Sequence, residues 1–306
     1  MGLGRLQYSP IRNWLDRAIS PFFVESMKTS ALILFFLFLG TAIYSEDIID
    51  TSREMENANP EYIEKCYQHA LEQFDKQEYE KSLQYIRHVI KSDMNNYKLR
   101  YLAAHDYWQL GNFDSATAHF QIAILSQPQN PEGYMDYALM KLHERDYWSA
   151  ERTLQTALFY MQKYKVEVPS KFYNIYSRLE LLKGFPDQSL KYAQLAKAAF
   201  AQSQTGIKDK LEAMTLEARS QLLLENFDKA ELAMQWALSM RNNNVYAYNL
   251  LGYIYARWRN SIMETDPQKA DNLKKLALEN YKKALKTPDL VDEFKKIIET
   301  NIASLN

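Results

Sequence analysis

Apolar and polar positions alternate with a helical period over most of the chain, and small residues interrupt the large apolar ones at fixed places. In "YWQLGNFDSATAHFQIAILSQPQN", residues 107–130, Gly111, Ala116, Ala123 and Pro128 stand where a helix built only for burial would carry leucine. Ala116 and Ala123 are seven residues apart, two helical turns, and so share a face. Small side chains there predict close approach of a neighbouring helix. Gly111 predicts a turn, and Pro128 cannot continue a helix.

The pattern recurs. The small residue returns as Ser82, Ala116 and Ala150, 34 residues apart each time, with Tyr79, Phe113 and Tyr147 three places before it. Upstream, Ala70, Ala104 and Ala138 keep the same spacing. Further on the gaps stretch, to Ser177 and Ser189, Ala218 and Ala230, then Gly252 and Ala277. A repeat of this length is one helix-turn-helix per unit, stacked so that neighbours bury each other's apolar faces.

Ala104, Tyr107, Gly111, Phe113, Ala116, Phe120, Ala123 and Pro128 together resemble the signature of the tetratricopeptide repeat family. The resemblance implies an all-α, right-handed superhelical solenoid of about six helix-turn-helix units, at 63–96, 97–130, 131–169, 170–210, 211–244 and 245–288. Residues 289–306 are expected to form a capping helix, with Leu290, Phe294, Ile297, Ile298 and Leu305 on its apolar face. Thr265 and Asp266 before Pro267 read as the N-cap of a long last second helix. Met94 and Asn242 replace the closing proline, and about five, seven and thirteen extra residues interrupt the third, fourth and sixth units.

The chain ahead of the repeats has another character. Ala31 to Tyr44 is an apolar run of about 14 residues after Lys28, short of the roughly 20 that span a bilayer. It reads as a secretory signal, residues 1–45, with translation expected from Met27 and cleavage between Ile43 and Glu46. Arg5, Arg12, Arg17 and Lys28 before the run, against "SEDIID" after it, send the following part outward, to a periplasmic or secreted location. The alternative is an uncleaved, membrane-anchoring segment. Residues 46–60 are polar and acidic and read as a linker.

Composition narrows the function classes. Lys plus Arg (37) nearly cancel Asp plus Glu (38), so there is no basic stripe of the kind nucleic-acid binding requires. One cysteine, Cys66, excludes an internal disulfide framework and a multi-cysteine metal site. The five histidines form no metal-binding pair, and no phosphate loop, nucleophile elbow or supported carboxylate pair is present. No catalytic residue, metal ligand or cofactor is expected; the alternative of a helical-repeat periplasmic enzyme would need an acid/base constellation in the groove, which the sequence does not offer.

What remains is binding. The resemblance implies that the first helices of the units line a concave groove. Counting from the small residue of each first helix places Tyr67, Leu71 and Phe74, then Tyr101, His105 and Trp108, then Met135, Leu139 and Leu142 toward it. Later units offer Asn174, Arg178, Arg219, Asn249 and Tyr253. The first half is thus aromatic and apolar, the second more polar and basic. Heat-shock chaperone-binding members of the family carry a Lys/Asn clamp where this chain has Tyr67 and Leu71, so that activity is not implied. The expected partner is a protein or peptide segment, bound by a non-catalytic scaffold in an envelope assembly.

Overall fold

The computed structural model describes residues 59–203, 206–288 and 290–305. The signal, its cleavage site and nearly all of the linker lie outside the described residues. Among the described residues there are thirteen helices and no strand. They fall into two compact units that divide between Val168 and Pro169.

The N-terminal unit contains α1 (Pro60–Asp75), α2 (Tyr79–Val89), α3 (Tyr97–Gln109), α4 (Phe113–Ser126), α5 (Pro131–His143) and α6 (Tyr147–Tyr164). Each helix pair closes on its alanines: Ala70, Ala104, Ala116, Ala123, Ala138, Ala150 and Ala157 are all completely buried. Phe120 fills the space between α3, α4 and α5. Helix starts are set by short polar side chains. Asn59 Oδ1 accepts from the Tyr62 amide at 2.8 Å, and Asn112 and Asp146 do the same for Ser115 and Ser149 at 3.1 and 3.0 Å. The first helix therefore begins at Pro60, inside the stretch read as linker.

The turn within each pair requires a left-handed residue at one place: Gln77 (φ 63°), Gly111 (φ 75°) and Arg145 (φ 63°), 34 residues apart. Only the middle one is glycine. Arg145→Gly should raise the unfolding free energy by about 0.5–1.5 kcal/mol, since an L side chain pays for αL geometry. Thermal melts would show it, and an unchanged or lower midpoint would mean that the arginine side chain offsets the strain.

The C-terminal unit contains α7 (Ser170–Lys183), α8 (Pro186–Ser203), α9 (Ile207–Leu223), α10 (Phe227–Met240), α11 (Val245–Ile262), α12 (Pro267–Leu285) and α13 (Asp292–Ala303). Extra residues in the stretched repeats mainly lengthen helices: α6, α8, α11 and α12 run 18, 18, 18 and 19 residues, against 13 or 14 in α3 to α5. Asp266 Oδ1 caps α12 by accepting from the Lys269 amide at 3.0 Å. Serines take the small positions of the first pair. Ser177 Oγ and Ser220 Oγ meet Ser189 Oγ at 2.8 and 2.9 Å, so each buried hydroxyl is satisfied at the seam. The last helix closes the core with Phe294 and Ile298, and Leu305 just beyond it joins them, each at most 4% exposed.

Candidate partner-binding surface

Within each unit the first helices of successive pairs stand side by side, joined by side-chain bonds. In the N-terminal unit Lys98 Nζ on α3 meets Glu64 Oε2 on α1 at 3.0 Å. Asp136 on α5 accepts from the Tyr101 hydroxyl and from His105 Nε2, the latter at 3.1 Å. In the C-terminal unit Arg178 on α7 donates to Glu212 on α9, and Asn301 Nδ2 on α13 donates to Asn249 Oδ1 on α11 at 3.3 Å.

The six aromatic and apolar residues expected on this face of the N-terminal unit, Tyr67, Leu71, Phe74, Tyr101, His105 and Trp108, are each half-buried. They touch one another more than the spacing alone conveyed. His105 is the hub, with ring centroids 6.2 Å from Phe74, 4.7 Å from Tyr101, 5.8 Å from Trp108 and 5.3 Å from the core ring of Phe120. The rings that meet His105 are thus partly packed and partly exposed, and that packing lowers the entropic cost of holding them in place. Lys98 Nζ lies 5.2 Å from the Tyr67 ring centroid. Of the third first helix, Leu139 is half-buried, whereas Met135 and Leu142 are 3% and 6% exposed and belong to the core.

Two residues of this face escaped the sequence reading. Asp136, 6% exposed, is the acceptor that orients Tyr101 and His105. Burial, reinforced by the negative charge of Asp136, pushes the Tyr101 phenol far above the usual tyrosine range, so it remains a donor. Tyr97 stacks on Tyr101 at 5.4 Å and 13° and extends the wall by one ring. The signal for Asp136 was a lone acid inside the apolar run "YMDYALM".

In the C-terminal unit the expected residues divide. Arg178 and Tyr253 are half-buried. Arg219 and Asn249, expected to line the groove, are 7% and 2% exposed instead. Asn249 is bonded by the final helix, whose Asn301 reaches across to it. Burial and then repulsion from Arg178 lower the Arg219 guanidinium to about 10, with Glu212 opposing. Asn174, completely buried, donates through Nδ2 to the Asp209 carbonyl at 2.9 Å. This face is a bonded polar seam rather than an open row of donors.

Cys66 is 2% exposed, and burial pushes its thiol up, away from the reactive thiolate. Among the described residues no group of three histidine, cysteine or acidic side chains is placed to hold a metal ion.

No protein-family model and no curated protein sequence matches the chain. Solved structures do match in fold. PilW, a widely conserved type IV pilus biogenesis factor, superposes with a TM-score of 0.61 at 18% identity, covering 79% of this chain and 100% of that one. A tetratricopeptide repeat protein from Parabacteroides merdae does so at 0.56 and 15%, covering 81% and 86%. The Cut9–Hcn1 hetero-tetramer of the APC/C gives 0.63 and 12%, over 81% of this chain but only 44% of that chain. The fold is the tetratricopeptide-repeat solenoid.

Proposed function

We propose that the protein is a non-catalytic scaffold that binds a protein segment on the first-helix face of its N-terminal unit, as part of an envelope assembly. The observation that carries this reading is the half-buried aromatic wall of Tyr67, Phe74, Tyr97, Tyr101, His105 and Trp108, in which Asp136 holds Tyr101 and His105. Pre-set aromatic anchors are the usual carriers of interface energy. The bound segment is extended or helical with apolar anchors that match the aromatic face. The short apolar run and its basic leading flank support export, and the pilus biogenesis factor among the structural neighbours supports an assembly role. N-terminal sequencing of the mature protein should read from between Ile43 and Glu46. A membrane-bound chain retaining Phe36 would instead support the anchored alternative.

The binding test is Trp108→Ala with Tyr101→Ala against Lys286→Ala, scored by cross-linking in intact cells and identification of the linked proteins. Truncating true hot spots costs about 2 kcal/mol or more each, so the double variant should lose its cross-linked partner while Lys286→Ala keeps it. Helical content must match the parent protein. A folded double variant that retains every partner would move the binding site off this face.

A further inference from the structure

On the outward side of α6, Trp148 and Phe159 are 68% and 59% exposed, among the most exposed large apolar side chains of the unit. They are eleven residues apart, about three turns, and fall on one line of the helix. The opposite line, Ala150, Thr153, Leu154, Ala157 and Met161, is buried in the unit. The outward line is therefore not a misplaced core face; it is a second apolar stripe.

Cations frame that stripe. Arg152 lies over the Trp148 ring at 5.3 Å, and Lys163 lies 5.7 and 5.5 Å from the rings of Tyr160 and Tyr164. Tyr160 and Tyr164 stack at 6.2 Å and 12°, with Tyr164 46% exposed. The other exposed positions on the arc, Gln155, Thr156 and Gln162, are neutral, and the nearest acid, Glu151, is half-buried at its edge. Among the described residues neither Arg152 nor Lys163 forms an ion pair. The exposed tryptophan of the C-terminal unit makes a contrast: Lys197, over Trp236 at 5.9 Å, is neutralised by Glu217 at 2.6 Å.

We infer that the outward face of α6 docks on the headgroup layer of an anionic lipid bilayer. Exposed Trp, Tyr and Phe interleaved with Arg and Lys suit that layer. The rings enter at the acyl boundary, and the cations reach back to phosphate along apolar stems. A protein partner would more often meet a surface poor in lysine and edged by charges of both signs. Here the exposed charge is of one sign. No helix among the described residues is long and apolar enough to cross a membrane, so α6 would lie on the surface, not span it.

The test uses the full chain. Cys66 is buried, so a nitroxide on Gln155→Cys, at the centre of the stripe, reports alone, and one on exposed Gln84→Cys in α2 serves as control. The probe is vesicles of phosphatidylcholine with about one third phosphatidylglycerol. The label at 155 should gain collisions with oxygen and lose collisions with a water-soluble nickel chelate, each by about twofold or more, while the label at 84 stays unchanged. These local readouts do not depend on whether residues 31–44 also hold the chain to the vesicle. Arg152→Gln with Lys163→Gln, both exposed, should abolish the change. The inference is overturned if the label at 155 stays in water. It is equally overturned if pure phosphatidylcholine has the same effect, or if the charge variant behaves as the parent. Shielding of the label by a protein without vesicles would assign the face to a protein partner instead.

Discussion

Raising the pH from about 4 to about 8 should weaken the N-terminal unit by up to about 4 kcal/mol through Asp106 alone. Asp106 on α3 is completely buried; its Oδ2 accepts from Ser82 Oγ at 2.7 Å, and its Oδ1 has no hydrogen-bond partner among the described residues. Burial lifts its carboxyl from 3.8 to about 7, with the serine bond pulling the other way. The folded pKa lies above the unfolded one, so the folded chain holds the proton more tightly. Stability from this group is complete below about pH 4 and lost as the pH rises through about 7.

His119 works oppositely in an overlapping window. Burial first, then the charges of Arg100 and Arg87, lower it from 6.5 to about 4, so its contribution is present above 6.5 and lost on acidification. The wild-type profile therefore mixes two slopes. Asp106→Asn keeps the shape and an acceptor for Ser82 but removes the charge. Denaturant unfolding of both proteins across the range should show the variant gaining relative stability as the pH rises, most of it between about 4 and 7. Parallel profiles would mean that the carboxylate is better solvated than its surroundings indicate.

Most of the fold was legible because its signal is redundant. Ala70, Ala104 and Ala138 in the first helices, and Ala116 and Ala150 in the second, repeat one geometric demand, and each is completely buried. The turns show the limit of a residue code: the left-handed place is glycine at 111 but glutamine at 77 and arginine at 145, so conformation recurs where residue type does not. The first-helix face was legible only as a register. Spacing put Trp108 and Tyr101 on one side of α3, yet the acid that fixes Tyr101 sits on the next first helix, and its partner is a matter of packing distance. Arg219 and Asn249 show the reverse error, because the same register leads to a buried seam once α13 and the Arg178–Glu212 pair are in place. Neither burial could be counted from one helix at a time.

Gly252→Ala should destabilise the C-terminal unit by about 1–3 kcal/mol, although alanine is the better helix former by about 1 kcal/mol. Gly252 lies inside α11, where a helix gains nothing from glycine's freedom. Its reason is the ring of Tyr281 on α12, 1% exposed, which lies flat against the bare backbone. A Cβ at 252 would sit 2.7 Å from Cδ1 and Cε1 of that ring and 3.0 Å from Cγ. The ring has little room to give, because it is 1% exposed inside a densely packed core. Tyr281→Ala alone should cost about 3–5 kcal/mol, as loss of a large buried ring does. The double variant separates overpacking from propensity. With the ring gone, the added methyl fills space and improves the helix, so Gly252→Ala should change sign and stabilise the Tyr281→Ala protein by about 1 kcal/mol. Equal destabilisation in both backgrounds would show that glycine is needed at 252 for a reason other than the tyrosine ring.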